Sequence, residues 1–168
     1  ENVRDYVPGS AERNSIKIKL RSMEKEFYEI PIIIGGKDIH TGNKGQCRKP
    51  HNHQDILAEY NKAGTEEVNH AIDVAMKAWH SWSITPLSER TAIFRRAAEL
   101  LAGPWRDTIN AATMLNQSKN VYQAEIDAAC ELIDFLNFNS QFAEEICSNQ
   151  PLISPDGMKN NLEYRALE

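Results

Sequence analysis

Apolar positions repeat with helical spacing over most of this chain and with strand spacing in one short stretch. Behind Ser10, which suits an N-cap, Ile16, Leu20, Met23 and Phe27 recur at i, i+4, i+7 and i+11 and predict a first amphipathic helix. From Glu29 to His40, branched residues, then Gly35-Gly36, then an alternating tail predict a short hairpin. The stretch from Thr41 to His53 is rich in Gly, Asn and Lys and contains Pro50, so it reads as loop. Ile56 to Tyr60 reads as a strand. Thr65 suits the cap of a second helix, with Val68, Ala71, Ile72, Ala75, Trp79 and Trp82 on one face. Pro86 sits where a third helix can open without losing a needed N–H. The inner face of that helix is Ile93, Phe94, Ala97, Leu100 and Leu101. Gly103-Pro104 ends it, and Pro104 opens a fourth helix through Met114 and Leu115.

The longest predicted element is a fifth helix. Asn120 and Gln123 have capping-box spacing. No Pro or Gly interrupts Val121 to Ile146, which is about 39 Å of helix at 1.5 Å per residue. Beyond it, Leu152-Ile153, the turn signal Pro155-Asp156-Gly157 and the run from Leu162 to Leu167 predict two short strands around a turn. No internal repeat is visible.

Composition narrows the class. The 168 residues are 41% hydrophobic and 26% charged, a profile of a globular chain with a buried core rather than a disordered or low-complexity one. The net charge of −5 supplies no electrostatic footprint for nucleic acid or for an anionic membrane surface. No apolar run nears the ~18 residues of a membrane span. Neither nucleic acid nor a membrane is therefore expected as a partner. Cys47, Cys130 and Cys147 form neither a disulfide framework nor a C-x-x-C pair, which points to a reducing compartment.

One residue of the fifth helix stands out. On a wheel at about 100° per residue, Ala124, Phe135, Phe138 and Phe142 fall within about 40° of Glu131. Asp127, Asp134, Asn137 and Gln141 gather in a sector of their own. A carboxylate inside an aromatic stripe is costly unless paired. Glu131 therefore reads as a binder of a cation or amine or as a general base, and equally as a structural salt bridge or a rim glutamate reaching solvent. His51 and His53 lie two apart in the predicted loop; on a strand they would share a face, but no third ligand stands at a standard spacing, so no metal site is assigned. Trp79 and Trp82 read as core rather than a ligand cage, and Glu144-Glu145 as a solvated helix end. Cys130, with no Lys, Arg or His beside it in sequence, reads as a structural thiol. Gly35-Gly36 is followed by no helix and makes no phosphate loop, and neither G-x-S-x-G nor G-x-G-x-x-G occurs. The residues alone contain no complete catalytic constellation.

The run from Gln123 to Leu136 resembles a segment of the aldehyde dehydrogenase superfamily, nearest its mitochondrial delta-1-pyrroline-5-carboxylate dehydrogenase branch. Other pieces agree in order. Gly9 to Arg13 resembles the start of that family's first helix, and Glu29-Ile30-Pro31 with the following Gly turn its first hairpin. Pro86 to Phe94 and Arg96 to Pro104 resemble its next helix and turn, and Tyr164 to Glu168 the strand before its nicotinamide-binding core. Where the family often has Gly-Gln-Gly-Lys-Thr, this chain has Asn116-Gln117-Ser118-Lys119-Asn120.

The resemblance implies an α/β fold: the mostly helical N-terminal portion of an aldehyde dehydrogenase, with short hairpins and an incomplete Rossmann-like cofactor domain. Residues 1–149 would be the helical and hairpin part of the NAD-binding domain, and residues 150–168 strands of an oligomerisation arm. The implied reaction is NAD-dependent oxidation of L-glutamate 5-semialdehyde to L-glutamate in proline catabolism, in the mitochondrial matrix. A small-molecule substrate and a homo-oligomer are the implied partners. Glu131 matches the family's glutamate near the substrate's amino group. The chain ends before the family's Ser-Pro-Phe-Asn-type segment, and none of its cysteines matches the nucleophile's context. No catalytic, cofactor-binding or metal-binding residue is therefore assigned, and the chain is expected to be inactive alone. The alternative is an autonomous helical interaction or oligomerisation module without catalysis.

Overall fold

The computed structural model describes residues 1–165. Its helices are α1 (Ala11–Met23), α2 (Thr65–Ile84), α3 (Leu87–Ala102), α4 (Arg106–Gln117), α5 (Val121–Ala124) and α6 (Glu131–Ser148). A π-helical turn, Glu125–Cys130, joins α5 to α6 without a break in helical backbone. Between α1 and α2 lie β1 (Tyr28–Ile30), β2 (Ile32–Ile34), β3 (Lys37–Ile39), β4 (Lys44–Lys49) and β5 (Asn52–Asn61).

The local start signals work as read. The Ser10 hydroxyl accepts the Arg13 N–H at 3.2 Å, and Asn120 and Gln123 cap each other reciprocally at 3.0 Å. Pro86 is the N-cap of α3 and Gly103 its C-cap. Gly35 and Gly36 take φ of +59° and +75°, the two left-handed residues of a tight hairpin turn between β2 and β3. The predicted cap of the second helix shifts by one residue: Gly64 is the N-cap, and the Glu67 carboxylate accepts its N–H at 2.7 Å.

The stretch from Thr41 to His53 is not a loop. β4 pairs antiparallel with β5, and β5 pairs parallel with β1, giving the order β1-β5-β4. The polar residues of β4 mislead because they occupy its outer positions, while Gly45, Cys47 and Lys49 alternate inward. Gly45 lies opposite Tyr60, where an added Cβ would come within 2.3 Å of the ring. Lys49 is buried and its ammonium reaches Asp55 at 3.1 Å.

The core sits on both sides of α4. On one side Ala111 meets Tyr6 and Ile16, with Leu20, Met23, Met114 and Val121 packed around them. On the other, Ala98, Ala129 and Ile133 form a second cluster with Leu101, Ile109 and Leu136. Alanine at each of these helix contacts lets the backbones approach closely. Two apolar faces expected inside are only partly so. The buried residues of α3 are Thr91 and Ala98, whereas Ile93 and Phe94 are exposed, because α6 covers only the Thr91–Ala98 edge of a wider apolar stripe. No residue of α2 is buried, and Phe27 falls beyond the end of α1 and is exposed.

After α6 the described chain forms no strand. The turn is present: Met158 N–H bonds the Pro155 carbonyl at 3.0 Å, and Gly157 has φ +77°. The segment folds back through side chains. Gln150 accepts the Leu162 N–H at 2.9 Å and donates to its carbonyl at 3.2 Å. One amide side chain thus replaces the expected strand ladder. Ala166 and Leu167, the end of the second predicted strand, lie outside the described residues. Among the described residues, no helix is long and apolar enough to cross a membrane.

Candidate functional site

Glu131 opens α6 and is exposed, which agrees with the reading of a rim glutamate reaching solvent and corrects that of a buried carboxylate. Phe135, Phe138 and Phe142 share its face and are also exposed, at 59%, 51% and 49%. Phe138 and Phe142 stack with ring centres 6.1 Å apart. Leu132 and Phe135 line one wall of a groove of about 500 Å³ whose other wall includes Trp82 and Phe94. Ala124, which a uniform wheel places on the Glu131 stripe, is fully buried. The π turn explains the discrepancy. The Glu131 N–H bonds the Ile126 carbonyl, five residues back, so the turn holds one residue more than a uniform α-helix allows.

The buried acid of this helix is Glu125. It is 0% exposed and Arg106, its partner on α4, is 2% exposed. One carboxylate oxygen accepts from Arg106 Nη2 at 2.5 Å and from the Arg4 backbone N–H at 2.9 Å. The other accepts from Tyr6 Oη at 2.8 Å, Asn110 Nδ2 at 2.7 Å and Arg106 Nε at 3.3 Å. Burial alone would raise the Glu125 pKa, but these donors outweigh it and hold the carboxyl down to about 2. Burial likewise pulls the Arg106 pKa down, and its bonds to Glu125 and Glu1 raise it more. Tyr6 is pushed up, first by burial and then by its bond to Glu125. A carboxylate with every lone pair engaged and a pKa this low is a poor proton acceptor near neutrality. Its chemistry is to clasp: it ties the segment carrying Arg4 and Tyr6 to α4 and to the π turn. Tyr6 keeps a left-handed φ of 50° in that clasp.

The other candidates fall into place around these two acids. Cys130 is buried, and Arg106 Nη2 lies 3.4 Å from its sulfur. Its pKa is raised, mainly by burial and then by Glu125, as suits a structural thiol rather than a nucleophile. Glu144 is not simply solvated: it accepts from Thr91 and from Arg95, each at 2.8 Å, and so fastens α6 to α3. Those bonds lower its pKa. Trp82 is exposed with the Arg90 guanidinium 5.9 Å from its ring centre, and Trp79 is half-buried. His51 Nδ1 lies 2.7 Å from the Ser118 hydroxyl. Among the described residues, no group of three His, Cys, Asp or Glu side chains is placed to hold a metal. A dinucleotide needs a Gly-rich turn from a strand into a helix N-terminus. Gly35-Gly36 instead joins two strands.

A profile of the aldehyde dehydrogenase family matches residues 39–166. The chain belongs to this family. It is 41% identical to the probable delta-1-pyrroline-5-carboxylate dehydrogenase of Schizosaccharomyces pombe, over 100% of this chain and 31% of that protein. Against the mitochondrial delta-1-pyrroline-5-carboxylate dehydrogenase of Danio rerio the identity is 40%, over 100% of this chain and 30% of the relative. The crystal structure of Delta-pyrroline-5-carboxylate dehydrogenase from Mycobacterium tuberculosis bound with NAD and cobalamin superposes with a TM-score of 0.96 at 46% identity, over 99% of this chain and 31% of that one. The chain thus spans about 31% of the length of these aldehyde dehydrogenase relatives and has the α/β fold of their N-terminal part. Ser118, where the resemblance expects glycine, caps α4 in the left-handed region at φ 56°.

Sequence reasoning missed Glu125, Arg106, Asn110 and Tyr6. The available signal was the small-residue cluster Ala124, Ala128 and Ala129 around Glu125, a mark of close helix packing on that side rather than on the side of Glu131.

Proposed function

We propose that this chain forms the N-terminal part of an NAD-dependent dehydrogenase that oxidises L-glutamate 5-semialdehyde, the open form of delta-1-pyrroline-5-carboxylate, to L-glutamate. The observation that carries this reading is the identity of 41% over the full chain to a relative bearing that enzyme's name. Glu131 is the residue assigned to substrate. It stands exposed beside Phe135, Phe138 and Phe142, so a further wall can close on that face, leaving a carboxylate to accept a charge-assisted hydrogen bond from the substrate ammonium. NAD would be held by residues outside those described. Residues 150–168 would contribute to an arm joining copies of the enzyme. A mitochondrial matrix location is supported by relatives named mitochondrial, such as that of Danio rerio.

The test is kinetic. The reading frame expressed to the length of its relatives is expected to reduce NAD with glutamate semialdehyde, and the 168-residue chain alone is expected to give no turnover above a heat-killed control. Glu131→Gln in the longer protein should raise KM roughly tenfold for this substrate, the scale of one charged hydrogen bond. It should leave KM for an aldehyde without an amino group unchanged. No dehydrogenase activity in the longer protein would sink the proposal.

A further inference from the structure

Glu125 and Cys130 are five residues apart yet meet on one buried face, with Glu125 Oε1 3.8 Å from the Cys130 sulfur. In a uniform α-helix a spacing of five residues turns about 500°, leaving the two side chains about 140° apart. The π turn removes that conflict. π turns are rare and carry poorer hydrogen bonds than an α-helix, so this one needs a cause in its side chains. The cause is the Arg106 guanidinium. It lies fully inside the protein, and if the helix rotated Glu125 away its charge would lose its one fully buried carboxylate partner and keep only the Glu1 side chain and the Asn2 carbonyl. A buried charge that loses such a partner costs more than one irregular turn. Asn110, Tyr6 and the Arg4 backbone N–H hold the same carboxylate from the other sides. The last backbone bond of the irregular turn is made by Glu131 itself, to the Ile126 carbonyl.

We infer that Glu125, clasped by Arg106, is a positioning residue for Glu131: it locks the π turn and so sets the direction in which Glu131 and the Phe135–Phe138–Phe142 face point. The register control stands on geometry alone; its consequence for substrate rests on the reading of Glu131 given above. If the clasp opens, the turn can relax to α spacing, and everything from Glu131 onward rotates by the share of one residue, about 100°.

Two measurements separate the parts. In the isotope-labelled 168-residue chain, Glu125→Gln and the milder Tyr6→Phe are compared with the parent by amide NMR. The expected result for Glu125→Gln is loss of the 126-to-131 π-type contacts, appearance of i-to-i+4 contacts, and shifts along residues 131–142 at unchanged helix content. Tyr6→Phe, which removes one donor, should show the same shifts at smaller amplitude. An intact π pattern in Glu125→Gln overturns the inference. If that variant does not fold, an unshifted 131–142 region in Tyr6→Phe overturns it instead. In the longer protein, Glu125→Gln should raise KM for glutamate semialdehyde in the same direction as Glu131→Gln, by roughly tenfold. Its KM for an aldehyde lacking an amino group should hold. If Glu131→Gln changes KM and Glu125→Gln does not, the positioning role fails. If Glu131→Gln itself changes nothing, the assignment of Glu131 fails and the NMR result decides the register claim by itself.

Discussion

Two sides of one long helix carry opposite solutions to the same problem. On the inner side, the π turn brings Glu125 against Arg106, Asn110 and Tyr6, and every donor there finds the carboxylate. On the outer side, α6 presents Glu131 and three phenylalanines to solvent, and α2 likewise leaves Val68, Ile72 and Met76 exposed. A buried charged cluster thus sits beside the apolar residues Ala124, Ala129 and Ile133 inside, while large aromatic side chains stand outside. The buried carboxylate on the inner side is fully engaged, since it is paired and hydrogen-bonded, and only Asn110 Oδ1 of that cluster lacks a partner. The outer side is unfinished: an apolar face of this extent marks a surface meant for contact. In this family, with relatives about three times as long, such contact surface is what a shared domain boundary requires. Stability therefore resides in the clasp and its two flanking clusters, while recognition is the role proposed for the outer face.

Breaking the inner side should cost the most. Arg106→Ala strands Glu125 and is expected to lose roughly 3–5 kcal/mol in urea unfolding. The double variant Arg106→Met with Glu125→Leu removes both charges and should recover much of that loss; a double variant as weak as the single one would show that the pair itself, not its completeness, stabilises the fold. The next effect is acid sensitivity. Glu125 has a folded pKa of about 2, below its unfolded value of about 4.3. Its contribution is thus fully present above the unfolded value and lost as pH falls toward the folded one. Between about pH 5 and about pH 3 the parent urea midpoint should drop further than that of Glu125→Gln; equal drops would place the acid transition elsewhere. The smallest effect belongs to the outer side. Ile72→Lys should change stability by less than about 0.5 kcal/mol and reduce self-association in sedimentation. A loss of several times that size would show α2 to be packed in solution.

What was legible follows from range. Ser10, Asn120 with Gln123, Gly103 and Gly35-Gly36 each act within four residues, and each does in the structure what its chemistry dictates. β4 was hidden because Lys44, Gln46 and Arg48 carry polar side chains on outward positions, and its strand identity comes from pairing with β5. The strand expected at Leu152-Ile153 failed for the opposite reason: apolar residues with no partner strand among the described residues, both largely exposed. Glu125 was invisible because its donors at Arg4 and Tyr6 are about 120 positions away in sequence. The wheel that singled out Glu131 grouped it correctly with Phe135, Phe138 and Phe142. It left open whether Glu131 is paired or reaches solvent at the rim, and it added Ala124 to the group by counting at uniform pitch across a turn that is not uniform. Periodicity identified the face; only the long-range clasp decides which way the face looks.

The most direct test of the clasp is an NMR titration of the Glu125 side-chain carboxyl carbon in the folded chain. The geometry of five donors on one buried carboxylate predicts a midpoint near 2. A midpoint in the ordinary carboxylate range, at about 4 or above, would contradict it.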